Sequence, residues 1–168
     1  MAQDVKSDPK VTHVAAGEGP SFWLLGDYYT MKVSSDETNG AFALFETLTP
    51  PDSPGPPPHF HTTDDEYFYV LEGVMEILDL TNNRTITAGA GASVHIPSGT
   101  MHTFHNAGTT PARFVTMVTP GGFEKFFQEA GDPATDPSSP PPAGPPDIEK
   151  LVSLAEKHGC IIPPPPAQ

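Results

Sequence analysis

Five of the seven histidines fall between His59 and His105. His59 and His61 are separated by one residue. On a strand, positions i and i+2 share a face, roughly 6.6 Å apart along the chain, so two imidazoles at this spacing can converge on one ion. Glu66 follows, opening the run Glu66-Tyr67-Phe68-Tyr69-Val70-Leu71. If Glu66 points inward, Phe68 and Val70 do too, and a carboxylate among apolar neighbours needs a partner, a cation being the simplest. A second cluster, GASVHIPSGTMHTFHN, spans residues 91–106. Pro97-Ser98-Gly99 predicts a turn and His102 the start of a strand, with Phe104 on the face of His102 and His105 on the other. Three histidines and one glutamate make a mixed nitrogen and oxygen site suited to a first-row divalent metal. An octahedral ion held by four protein ligands keeps two positions for a substrate and a small molecule such as dioxygen.

These side chains need elements to carry them. From Phe22 to Thr119 the chain is a succession of short aromatic and β-branched segments. Gly26-Asp27, Asn39-Gly40, Asn82-Asn83, Ser98-Gly99 and similar turn pairs separate them. Short strands joined by tight turns predict an antiparallel sandwich or barrel. Proline, 22 of 168 residues, marks the boundaries: six lie between Pro50 and Pro58, seven between Pro133 and Pro146, and four in Pro163 to Pro166. After the strands, Phe123, Phe126 and Phe127 form one face of a short helix over Gly122–Ala130. Pro133–Pro146 reads as an extended linker. Asp147 is placed to cap a second helix running to His158, with Ile148, Leu151, Val152 and Ala155 on its apolar stripe and Gly159 ending it. The expected organisation is an N-terminal arm over 1–20, a β-barrel over 21–120, and a tail over 121–168 with two short helices and a Pro-rich linker.

Composition narrows the function. Eight basic residues against 21 acidic ones leave a net charge of −13, which argues against nucleic acid or an anionic membrane as partner. No stretch approaches the roughly 20 apolar residues of a membrane span, and the polar opening MAQDVKSDPK is unlike a secretory signal, so a cytoplasmic location is expected. The single cysteine, Cys160, excludes an internal disulfide and reads as a buried thiol.

The two clusters resemble the paired motifs of the cupin superfamily, small β-barrels of jelly-roll type. His59, His61, Glu66 and Gly73 fit the spacing of the first motif, with Ser53 where a glycine leads it. Gly91, Pro97, Gly99, His102 and Asn106 fit the second. The resemblance implies an all-β cupin jelly-roll β-barrel with short C-terminal helices. It implies His59, His61, Glu66 and His102 as ligands of one divalent transition metal per chain: Fe, Mn, Ni, Co, Cu or Zn. A narrower resemblance, carried by FWLLGDYYTMKVSSDETNGAFALFET and TPGGFEKFFQEAG, is to single-domain cupins of the quercetin 2,3-dioxygenase-like group, which open flavonol rings with dioxygen.

The function expected is therefore a metal-dependent dioxygenase acting on a small enolic or phenolic aromatic. Glu66 would be both ligand and general base, and Phe68 and Phe104 would line the substrate pocket. A metal-dependent isomerase or lyase, or a non-catalytic small-molecule binder, are the alternatives. The scarcity of basic residues in the core, only Lys32, Arg84 and Arg113, disfavours an anionic substrate. His95 reads as a wall or surface residue, His105 as structural, and Asp64 and Asp65 as loop solvation. Tyr67 and Tyr69 face the opposite layer, where they pack or join a homodimer.

Overall fold

The structure, a computed structural model, describes residues 10–51, 53–142 and 144–164. The first nine residues of the expected arm lie outside them. Alternating buried and exposed side chains build ten strands in succession: β1 (Ser21–Leu24), β2 (Asp27–Val33), β3 (Ala43–Thr49), β4 (Phe60–His61), β5 (Asp65–Glu72), β6 (Val74–Asp79), β7 (Arg84–Gly89), β8 (Ser93–Ile96), β9 (His102–Asn106) and β10 (Ala112–Thr119). Helix α1 (Glu124–Ala130), strand β11 (Asp132–Ala134), helix α2 (Ile148–Lys157) and strand β12 (Cys160–Ile161) follow.

Two antiparallel sheets face each other. The larger runs β11-β1-β2-β3-β10-β5-β8, and the smaller runs β7-β6-β9. Beside β9, the pair β4-β12 is joined to it by a single bridge between His59 and His102. The jelly-roll class holds, but the expected closed barrel is an open roll: among the described residues no ladder joins the two sheets. Part of the reason is the segment before β4. It is rich in proline, which cannot donate to a ladder, and among its described residues only His59 pairs, by its bridge to His102.

The inward faces form two apolar clusters. One gathers Phe68, Val70, Met75, Ile77, Phe104 and Phe114 from β5, β6, β9 and β10. The other gathers Tyr29, Phe45 and Val118 from the large sheet with Phe123, Phe126, Phe127, Leu151 and Cys160 from the tail.

The tail departs from expectation in three places. Pro133 sits inside β11, opposite Phe22 of β1. This is an edge strand, where a missing N–H is tolerated. Helix α2 is capped as expected, Asp147 accepting from the Lys150 amide at 3.0 Å, but Ile148 is 56% exposed while Leu151 and Ala155 are buried. Finally, β12 pairs with β4, Cys160 opposite His61. Gly159 makes that return possible: its φ of +77° is left-handed, and a Cβ there would stand 3.1 Å from Thr62 Oγ1.

Candidate metal centre

The backbone brings the two sequence clusters together directly. His59 and His102 exchange amide hydrogen bonds, at 3.0 and 2.9 Å. The Gly99 amide, in the turn of the second cluster, donates to the His61 carbonyl at 2.7 Å. Its φ of +79° is the left-handed conformation that glycine adopts without a Cβ penalty. Glu66 enters from β5, across the roll.

His59, His61, Glu66 and His102 are all buried, between 1% and 6% exposed. One donor atom from each lies within 4.8 Å of the others, the scale on which ligands at about 2.0–2.2 Å surround one ion. The far side of two of the imidazoles is already held by a hydrogen bond. His59 Nδ1 lies 3.0 Å from the Pro57 carbonyl oxygen, and His102 Nδ1 lies 2.8 Å from that of Thr100. A carbonyl oxygen only accepts, so each Nδ1 carries the hydrogen and each Nε2 lone pair is free. His61 Nδ1 stands 2.7 Å from Asp64 Oδ2.

The near sides converge on Glu66 Oε2, at 2.9 Å from His102 Nε2 and 3.3 Å from His61 Nε2. A lone pair facing a carboxylate at 2.9 Å is repelled unless a proton or a cation compensates. Neither buried nitrogen of His61 makes an aligned hydrogen bond, the Nδ1 contact with Asp64 being a close charge pair rather than an aligned bond. Three imidazoles and one carboxylate turned inward, with an orphaned nitrogen among them, fit a divalent metal ion.

Without a metal, the charges distribute unevenly. Burial, with His102 adjacent, pushes His59 down to about 4. Burial opposes a charge on His61 as well, but Glu66 and Asp64 on either side outweigh it and raise its pKa to about 10. Glu66 is buried, yet His61 and His102 hold it well below the usual carboxylate range.

The centre opens onto a cavity of about 50 Å³. His59, Glu66, Phe68 and Phe104 line one side, the two phenylalanine rings standing edge to face at 5.2 Å. Tyr29, Thr116, Leu151, Cys160 and Ile162 line it too; no motif or spacing in the sequence marks them for this place. Asp64 is a correction: it is 5% exposed and grips His61. Asp65 is the solvated one, at the rim with His95 Nε2 at 2.8 Å. His95 is half-exposed and stacks on Tyr67. His105 points out toward Glu76. Tyr69 is 49% exposed on the outer face of the large sheet. Asn106 closes its own loop, donating to the Thr49 and Thr110 carbonyls and accepting from the Gly108 amide. Ser53, in the glycine position, donates to Asp27 at 2.6 Å.

The cupin domain model matches residues 45–118, which contain all four of these side chains. Residues 45–118 of the chain thus carry a cupin domain. The chain is 28% identical over 123 residues to a quercetin 2,3-dioxygenase of Bacillus subtilis (strain 168), which covers 70% of this chain and 34% of that protein. It is 30% identical over 112 residues to a quercetin 2,3-dioxygenase of Aspergillus japonicus, 64% of this chain and 32% of that protein. The chain thus spans about a third of the length of the curated relatives it matches. Among solved structures, the polyketide cyclase RemF from Streptomyces resistomycificus superposes with a TM-score of 0.58 at 23% identity, over 66% of this chain and 80% of that one. A predicted oxalate decarboxylase from Thermotoga maritima superposes with a TM-score of 0.57 at 23% identity, over 65% and 99%. These two likenesses show the fold. Among the described residues, no helix is long and apolar enough to cross a membrane.

Proposed function

We propose that this cupin is a metal-dependent dioxygenase acting on a small enolic or phenolic aromatic, flavonol-like substrate, with dioxygen as the second substrate. The observation that carries the reading is the character of the cavity. A cluster of three histidines and one glutamate is set in a wall of phenylalanine, leucine and isoleucine, with no Lys or Arg lining it among the described residues. Arg113 pairs with Glu46 and Glu72 instead, Lys32 reaches the Ala15 and Glu18 carbonyls, and Arg84 is exposed. An isomerase or lyase of oxo-acids or sugar phosphates would need a cation to hold its anion; a neutral aromatic needs none. The names of the two curated relatives point the same way.

His59, His61, Glu66 and His102 would hold one divalent transition metal: Fe, Mn, Ni, Co, Cu or Zn. When bound, the ion supplies Lewis acidity toward the substrate oxygen and, where it is redox-active, a route for electrons to dioxygen. The chain's own residues do the rest. Phe68 and Phe104 orient the aromatic ring. Glu66 takes the hydroxyl proton on Oε1, the carboxylate oxygen not turned to the histidines. The apolar wall excludes water from the activated substrate. Residues 21–120 act as the working unit and the tail closes over it. The outer face bearing Tyr69 is where a second copy would pair into a homodimer.

The test is elemental analysis of protein purified without added metal, followed by oxygen-electrode assays with quercetin and related flavonols. Stoichiometric metal with flavonol-dependent oxygen uptake is expected. Metal and flavonol binding without oxygen uptake would make this a binding cupin, and a chain that never takes up metal would end the reading.

A further inference from the structure

The candidate centre opens into a cavity far smaller than its proposed substrate. About 50 Å³ holds only a few waters, one of which needs about 10–15 Å³ of such space, whereas pockets for drug-sized ligands run to about 300–1,000 Å³. Something must move. The two walls are not equally able to. Glu66 and Phe68 of one wall belong to the roll, where β5 pairs with β10 over seven residues and with β8 over four; Phe104 lies on β9, paired with β6 over five, and His59 is bridged to β9 at His102. Leu151, Cys160 and Ile162 in the facing wall come from the end of the chain.

Leu151, Ala155 and Cys160 of that end are buried in the second apolar cluster, but its backbone is lightly held. Strand β12 contributes two paired residues, Cys160 with His61 and Ile161 with Phe60. Thr62 adds two bonds to the Gly159 carbonyl, from its amide at 2.8 Å and its hydroxyl at 3.0 Å. Lys157 and His158 reach Glu129 of α1 at 2.6 and 3.1 Å; the Lys157 pair is exposed to solvent and contributes little, while the His158 ring is largely covered. The tether behind α2 is exposed and free of helix and strand from Thr135 to Pro142 and from Gly144 to Pro146. Short ladders, surface ion pairs and an unstructured tether are the features of a segment that opens below the threshold of global unfolding.

We propose that residues 147–162 are a hinged cover over the candidate metal centre, swinging on the proline-rich tether to admit molecules of aromatic size. Its closed position makes Leu151 and Ile162 the wall against which the substrate packs. The identity of the substrate rests on the dioxygenase reading; the cover rests on the cavity and the bonds just described. Its test uses neither metal nor substrate, so the two can fail separately.

Cys160 is the chain's one cysteine, 3% exposed and on the cover itself, and therefore reports its opening. The full-length wild-type chain is treated with iodoacetamide and with pyrenyl maleimide, an aromatic reagent, in buffer and at low urea. Global unfolding is followed by Trp23 fluorescence. The expected result is that both reagents modify Cys160 at least ~10²-fold faster than global unfolding allows, with a urea dependence that is a small fraction of the global slope. Leu151→Ala, which removes the apolar anchor of α2, is expected to speed both reactions by ~10-fold or more while the roll stays folded. Labelling that follows global unfolding with its full urea slope would overturn the cover. So would reaction of iodoacetamide with exclusion of the aromatic reagent, and so would an unchanged rate in Leu151→Ala.

Discussion

The two apolar clusters meet at the candidate centre but are built differently. The cluster around Phe68, Phe104 and Phe114 is made wholly by strands lying within the stretch matched to the cupin domain. The cluster around Tyr29, Phe45 and Phe127 is completed by α1, α2 and β12, which follow that stretch. All four candidate ligands lie within the matched stretch. The division separates two jobs. Long ladders hold Glu66 on β5 and His102 on β9, and His59 is tied to His102 by its bridge, while His61 pairs only with β12; placement matters because misplacing a ligand by an ångström costs affinity and rate. A lightly attached segment supplies the opposite wall, where tight fixing would shut the substrate out.

The sharpest way to break this division is at the ligands. His102→Ala is expected to abolish metal uptake and, with it, oxygenase activity. Glu66→Gln keeps an oxygen but loses charge and basicity, so it should retain part of its metal while turnover falls ~10²-fold or more, the scale of a general base. Metal content and single-turnover oxygen uptake on the same preparations decide both. Full metal and full activity in Glu66→Gln would remove the base assignment.

Next comes the core of the roll. Phe114 is fully buried against Phe68 and Phe104, with centroids at 5.1 and 5.8 Å. Phe114→Ala should cost about 3–5 kcal/mol of global stability, read as a fall in the urea midpoint. If the tail is a separate cover, the same variant leaves the local opening step at Cys160 nearly unchanged at low urea. Coupled changes in both would join the two regions into one cooperative unit.

How far these regions can be read in the sequence follows the same line. Strand positions around His59, Glu66 and His102 are legible because a period of two fixes facing, and because turn residues such as Pro97-Ser98-Gly99 fix where strands begin. The β4–β12 pairing is not, since a two-residue ladder joining positions about a hundred apart has no period and no turn signal. Strand β11 is hidden by Pro133, which argues against strand everywhere except an edge. Asp64 is hidden by its neighbours: in Asp64-Asp65-Glu66 nothing local says which carboxylate turns inward, and only the burial of His61 beside it does.

A smaller effect probes a buried polar group at the start of β2. Asp27 is 1% exposed, with Ser53 and Tyr29 donating to its carboxylate. Burial raises its pKa from 3.8 to about 6, partly opposed by those hydroxyls and Thr49. Because the folded value exceeds the unfolded one, its relative stabilisation is complete below about pH 4 and is lost as pH rises through about 6. At pH 7.5 the ionised group then costs up to about 3 kcal/mol, a tenfold change in proton affinity being worth about 1.36 kcal/mol. Asp27→Asn should stabilise the protein at pH 7.5 and do nothing at pH 4. Urea midpoints of variant and wild type at both pH values test this, groups common to the two proteins cancelling in the difference. Equal shifts at both pH values would exclude ionisation as the cause.

The smallest effect refines the ligand side. Asp64 sits in the loop between β4 and β5, outside every ladder, and holds His61 Nδ1 at 2.7 Å with both side chains buried. A carboxylate behind a ligating imidazole orients the ring and strengthens its free nitrogen as a donor, an effect typically worth about 10- to 100-fold in metal affinity. Asp64→Asn is nearly the same shape and can still accept at Nδ1, but it lacks the charge; Asp64→Ala loses both. If orientation alone matters, only the alanine variant should weaken metal binding. If charge matters too, asparagine should fall between wild type and alanine, with alanine weakened ~10- to 100-fold. Competition against a chelator of known affinity measures this without any catalytic assay. The same titration on Asp65→Asn, whose carboxylate pairs with His95 at the rim, should return the wild-type affinity. Equal losses in the Asp64 and Asp65 variants would mean that the site responds to net charge rather than to the grip on His61.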